Sequence, residues 1–201
     1  MNIKKFILSA SNLNSKALDF GSGPKPRNIF LANQLYSIDL IGANSKNHSV
    51  IKNGDPLPFE ENYFDRISAY DVLEHLSRDP THNDFIFYMN ELCRVLKPGG
   101  IALFVFPSYP HIDAITDPTH VNFISKSTID YFLGSQKGSY AQIYTSYRLI
   151  VNRKIRVRKH FDPSYKQKDV IGLRRRLSLV RRELKNLTNP SNRVWILEKI
   201  K

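Results

Sequence analysis

Leu18-Asp19-Phe20-Gly21-Ser22-Gly23-Pro24 is the stretch whose reading decides the fold. Lys16–Phe20 is a short apolar run of strand type, and it stops at two glycines and a proline. Glycine lets the backbone turn tightly and approach a ligand closely, because no Cβ intervenes. A helical stretch is predicted next, over Asn28–Gln34, so the segment reads as the start of a βαβ unit. Asp19 sits at the strand end, where a carboxylate can receive a cationic group. Asp39 closes a second strand twenty residues later, where a carboxylate can accept both hydroxyls of a ribose. A lone Gly-x-Gly also occurs in ordinary strand-to-helix turns. The third glycine of a dinucleotide fingerprint is missing, which argues against a nicotinamide cofactor.

Moving outward, strand-like runs alternate with helical patterns. Leu35–Leu40 is the second strand, Ser49–Lys52 a short third and Asp65–Tyr70 a fourth. Asn83–Leu96 reads as a helix, with Phe85, Met89, Leu92, Val95 and Leu96 on one face. Lys97-Pro98-Gly99-Gly100 supplies stop chemistry, and Ile101–Phe106 is the fifth strand. Beyond Pro107 come a polar loop, a short helix over Ser127–Leu133 and a strand or hairpin arm within Tyr144–His160. A basic amphipathic helix over Asp169–Leu187 and a last strand over Arg193–Ile200 complete the chain.

Six segments in series resemble the motifs of class I S-adenosylmethionine-dependent methyltransferases. They are Leu18–Pro24, Tyr36–Asp39, Gly54–Phe59, Tyr63–Ile67, Tyr70–Leu76 and Leu92–Gly100, and they cover residues 16–107, about half the chain. The resemblance implies a Rossmann-like α/β fold, with a seven-stranded, mostly parallel sheet, helices on both faces and an antiparallel last strand. It implies one methyltransferase domain over 1–201. Residues 16–107 form its cofactor-binding half, 108–135 an acceptor loop and short helix, and 144–201 the C-terminal strands with the basic helix. S-adenosylmethionine is the implied cofactor. Gly21, Ser22 and Gly23 would face its methionine part and Asp19 its amino group, directly or through water. Asp39, with Leu40 beside it, would hold the ribose and Asp55 would lie near the adenine amine. Tyr70 and Asp71, at the end of the fourth strand, would flank the methyl donor. The Asp55–Phe59 stretch is a residue or so shorter than the family's, which weakens the role of Asp55.

A sulfonium is already reactive, so methyl transfer asks mainly for in-line positioning. A hydroxyl acceptor also benefits from a base, usually histidine near neutral pH. Asp117-Pro118-Thr119-His120-Val121-Asn122-Phe123 and Tyr109-Pro110-His111 lie after the fifth strand, on the side where parallel sheets bind ligands. His120 and His111 are therefore the candidate catalytic residues, while His75 reads as structural. The two loop segments resemble those of bacterial methyltransferases encoded among surface-polysaccharide genes. That resemblance implies a small-molecule or glycan acceptor, with a sugar hydroxyl preferred. RNA methylation and non-catalytic cofactor binding are the alternatives. Cys93 is alone, so neither a disulfide nor a Cys-rich zinc site can form, and no metal site is expected.

The 201 residues are 41% hydrophobic and 24% charged, as in an ordinary globular protein. No apolar run is long enough to span a bilayer. The apolar patch Phe6-Ile7-Leu8 is too short for a signal peptide, so a cytoplasmic location is expected. Charge is uneven: residues 1–150 hold 14 basic and 14 acidic side chains, and residues 151–201 hold 16 and 4. Residues 168–187 set arginines between apolar residues, a pattern suited to the anionic inner face of a membrane. Nucleic acid is the weaker alternative, because few aromatics interleave with the arginines.

Overall fold

The computed structural model describes residues 14–78, 83–125, 127–132, 149–157 and 192–199. Strands β1 (Lys16–Phe20), β2 (Gln34–Asp39), β3 (His48–Val50), β4 (Phe64–Tyr70) and β5 (Leu96–Pro107) pair in parallel, in the spatial order β3-β2-β1-β4-β5. Beyond β5 lies β7 (Asn192–Lys199), antiparallel to it, and β6 (Leu149–Val157) pairs antiparallel with the far side of β7. The chain turns outward in opposite directions from β1 and β4, so a crevice opens at their carboxyl ends.

Alternation along the central strands gives the sheet two apolar faces. Ala102, Phe104 and Phe106 of β5 and Trp195 and Leu197 of β7 join one core with Leu18, Phe20 and Ile67. Leu103, Val105, Val194 and Ile196 join Ile29, Phe30 and Tyr70 in a second. The first face is covered by α1 (Asp84–Val95), whose buried stripe includes Phe85, Tyr88, Met89, Leu92 and Cys93. Asn83 starts that helix as its cap, its side chain accepting the Ile86 N–H.

The helix expected over Asn28–Gln34 is absent. Asn28 Oδ1 accepts the Ala32 N–H and its Nδ2 donates to the Ala32 carbonyl, both at 2.8 Å, so the side chain takes groups a helix would have used. Leu31 adopts φ 52°, a turn conformation. The irregular stretch still buries Ile29 and Phe30 on the second face, and it covers that face where a helix was expected. Among the described residues, none of that second core comes from a helix.

Lys97–Gly100 is carried inside β5 as an irregularity: pairing passes from Phe64–Leu96 directly to Arg66–Ile101. The short helix expected over Ser127–Leu133 is a 3-10 turn over Thr128–Phe132. The basic helix expected over Asp169–Leu187 falls outside the described residues, and among the described residues no helix is long and apolar enough to cross a membrane.

Candidate active site

The β1–β2 crevice is organised by backbone bonds from the glycine turn. Gly21 N–H and Ser22 N–H both donate to the Ile38 carbonyl, at 2.9 and 3.1 Å. Gly21 has φ 66°, and a Cβ there would overlap the Val72 side chain. Gly23 has φ 59°, but a Cβ there would meet nothing within 4 Å, which leaves the turn open to a ligand. Asp19 is fully buried, with Oδ2 accepting the Arg27 N–H at 2.7 Å and Oδ1 the Ser68 hydroxyl at 3.0 Å. Its carboxylate thus ties the loop after the glycines to the core of the sheet.

Asp39 Oδ2 accepts the Gly23 N–H at 2.7 Å and Oδ1 the Ile41 N–H at 3.2 Å. A carboxylate has about four lone-pair directions, so this leaves acceptor capacity for two hydroxyls. Gly21, Asp39 and Leu40 line a cavity of about 110 Å³ at the strand ends, with Ile38, Ile51 and Asn53. Val72, His75 and Leu76 after β4 and Tyr88 of α1 close its other side.

Other candidates are placed differently. Asp55 is exposed, its carboxylate turned back to the Lys52 N–H at 3.0 Å, and Asn53 lines the cavity two residues earlier. The turn around Gly54 (φ 85°) swings these neighbours apart, which residue types alone do not reveal. Tyr70 points into the second core, with the Arg27 guanidinium over its ring at 5.2 Å. Asp71 is exposed at the β4 end, with its N–H bonded to the Val105 carbonyl.

The loop 117–122 is fastened to the turn after β4. Val121 and Asn122 N–H groups both donate to the Glu74 carbonyl, and Asn122 Nδ2 donates to the carbonyls of Leu73 and Leu76. This clamp sets the His120 ring edge-on to that of His75, with centroids 4.7 Å apart. His120 Nε2 lies 3.9 Å from Glu74 Oε1 and 3.8 Å from Asp117 Oδ2. The Glu74 side chain is only 2% exposed, and neither of its oxygens accepts a hydrogen bond from another described residue. Burial pushes its carboxyl up to about 8, with Asp71 and Asp117 adding to the rise. His75, at the end of the 3-10 turn Leu73–His75, was expected to be structural; the fold brings it to both the cavity and His120.

His111 stands apart from this group. Its Nδ1 accepts the Asp113 N–H at 3.2 Å and lies 3.3 Å from the Asp113 carboxylate, at the start of α2 (Asp113–Thr116). It does not line the cavity beside the glycine turn. A larger cavity of about 340 Å³ is lined by Arg78, Phe85, Ile86, Asn122, Phe123 and Tyr131 among others, and shares no residue with the glycine turn.

Residues 18–104 match the family described as Methyltransferase domain. No curated protein matches the chain. Among solved structures, YcgJ from Bacillus subtilis is 16% identical, with a TM-score of 0.58, covering 98% of this chain and 97% of its own. An S-adenosylmethionine-dependent methyltransferase from Mesorhizobium loti is 12% identical with a TM-score of 0.58, covering 98% and 96%. Another from Archaeoglobus fulgidus is 14% identical with a TM-score of 0.55, covering 98% and 93%. At such identities the structures establish the fold, a mostly parallel Rossmann-like sheet. The glycine turn, the open space at Gly23 and the Asp39 carboxylate suit a cofactor with a ribose and a flexible charged tail. Over residues 18–104 the chain is similar to that methyltransferase-domain family.

Proposed function

We propose that the protein transfers the methyl group of S-adenosylmethionine to a hydroxyl of a small-molecule or glycan acceptor, a sugar being the preferred class. The observation that carries this is the His120 ring, held beside His75 where His75 lines the cofactor cavity. His120 Nδ1 faces the Ala114 carbonyl at 3.2 Å, and a carbonyl can only accept. Nδ1 therefore carries the proton in the neutral ring, and Nε2 keeps its lone pair. Hydroxyl activation occurs at the His120 group; His111, bonded into its own turn, has a lesser part. Asp39 binds the ribose, and the backbone of Gly21, Ser22 and Gly23 receives the methionine part. Asp19 organises that turn, Leu40 packs at the ribose edge, and Tyr70 and Asp71 bound the methyl-donor side. Asp55 reaches the adenine only if its turn rearranges.

In this reading the protein is a bacterial, cytoplasmic enzyme of surface-polysaccharide synthesis. The sheet is the seven-stranded form, and the arm over 168–187 is a basic helix that meets the inner membrane face. Its polar, aromatic-flanked loop at 109–123 supports a sugar acceptor. The test is a labelled-methyl assay against nucleotide sugars, lipid-linked glycans and total RNA. Label entering a glycan hydroxyl is expected. Label entering only RNA establishes the nucleic-acid alternative, and cofactor binding without any transfer establishes a non-catalytic binder.

A further inference from the structure

Glu74, His75 and His120 each present one ligand atom, and these atoms all lie within 4.8 Å of one another. We infer that this cluster, with Asp117 at its rim, is a site for a divalent transition-metal ion. The inference deepens the hydroxyl-acceptor reading, since it names what the His120 group holds beside the cofactor cavity.

Hydrogen placement carries the argument. Thr119 Oγ1 donates its only proton to Asp117 Oδ1 at 2.6 Å, so it must accept at 3.0 Å from His75 Nδ1. His75 Nδ1 is thus protonated, as His120 Nδ1 is against the Ala114 carbonyl. Both rings are left with their lone pairs on Nε2. No other residue among those described donates to the buried Glu74 carboxyl. The cluster therefore gathers two Nε2 lone pairs and a carboxyl that no other described residue engages. At 3.8 and 3.9 Å, the His120 separations from Asp117 and Glu74 are too long for hydrogen bonds. They are close to the spacing of two ligands on one ion, about 3.4 Å for tetrahedral bonds of roughly 2.1 Å.

The outer partners also match those of a metal site. Ligating histidines typically hand their second ring N–H to a carbonyl or other acceptor, which fixes ring and tautomer. Asp117 is held the same way, its Oδ1 accepting both the N–H and the hydroxyl of Thr119 while Oδ2 turns toward His120. Two imidazoles with one or two carboxylates suit zinc, iron(II), cobalt(II) or manganese(II) better than magnesium. His75 is exposed, and the Asp117 side chain is 47% exposed, so one side of the site stays open to water or to an acceptor oxygen. An ion there would lower the pKa of a bound hydroxyl.

The whole protein, stripped with a chelator, is dialysed against Zn²⁺, Co²⁺ or Mn²⁺ and the bound metal measured by elemental analysis. One ion per chain is expected. Glu74→Gln and His120→Ala should each weaken it by at least about 10- to 100-fold, the range that loss of even an outer partner produces. His111→Ala should bind as wild type does. Calorimetry with S-adenosylmethionine reports whether each variant is folded. His75→Asn, at an exposed position, tests the site if the buried variants fail. No bound ion, or binding undiminished in folded Glu74→Gln, His120→Ala and His75→Asn, overturns the site. A bound ion in a protein that methylates no hydroxyl supports the site and removes the acceptor reading alone. Hydroxyl methylation without any bound ion does the reverse.

Discussion

At the scale of single residues, Asp39 and Gly21 carry different loads. Asp39 already accepts two backbone N–H groups, so its charge is held in place for the proposed ribose contact. Asp39→Ala should weaken S-adenosylmethionine binding by roughly 1.5–3 kcal/mol, the range for a hydrogen bond to a charged group. Calorimetry on the folded variant decides, and unchanged affinity removes the ribose role. Gly21→Ala meets two obstacles, a positive φ and the Val72 side chain. A strained φ and an overpacked contact each cost about 1–3 kcal/mol, so the thermal midpoint should fall visibly. Gly23→Ala meets only the first, and should fall less. At the catalytic group, His120→Ala should lower turnover by about 10²–10⁴ with cofactor binding intact, while His111→Ala should have a much smaller effect. Equal losses in the two variants would count against placing activation at His120.

At the scale of elements, the polar end of α1 holds the loop that walls the cavity. Arg94 donates to the carbonyls of Leu57 and Phe59 and pairs with Glu91 at 2.6 Å, and Glu91 in turn accepts the Leu57 N–H. Arg94→Met keeps the apolar stem and strands three acceptors. It should cost about 2 kcal/mol in denaturant unfolding, since the pair is largely buried. A loss below about 0.5 kcal/mol would mean the loop is held by its apolar anchors alone. The same scale explains what was legible in the sequence. Strands β1 to β5 and helix α1 were readable, because apolar periodicity and turn chemistry are local. The missing helix at Asn28–Gln34 was not, because Asn28 competes for the Ala32 backbone through a bond that propensity does not register. Nor was the placement of His75. It lies 45 residues from His120 in sequence, and only the Asn122 clamp on the β4 turn brings the rings together. Asn53 replaced Asp55 at the cavity for a similar reason, a tight turn whose direction the residue types leave open.

At the scale of the whole molecule, charge divides the protein. The first 150 residues balance 14 basic against 14 acidic side chains, so the net charge of +12 resides in the last 51 residues. A neutral cofactor-binding part has no long-range reason to seek an anionic surface, whereas the C-terminal part has one. Each basic side chain near an anionic bilayer contributes about 1 kcal/mol, so three together shift binding by about two orders of magnitude. Replacing Arg174, Arg175 and Arg176 with glutamine should therefore release the protein from phosphatidylserine vesicles in a flotation assay. Affinity for S-adenosylmethionine should not change, because the described lining of the cavity comes from residues between Phe20 and Tyr88. Salt should reproduce the variant's behaviour in the wild type, since the attraction is screened over about 8–10 Å at 0.10–0.15 M. Wild type that ignores the vesicles at low salt but retains RNA through purification would assign the arm to nucleic acid. Indifference to both would leave a solvated basic segment, and the acceptor would then have to be recognised by the neutral part alone.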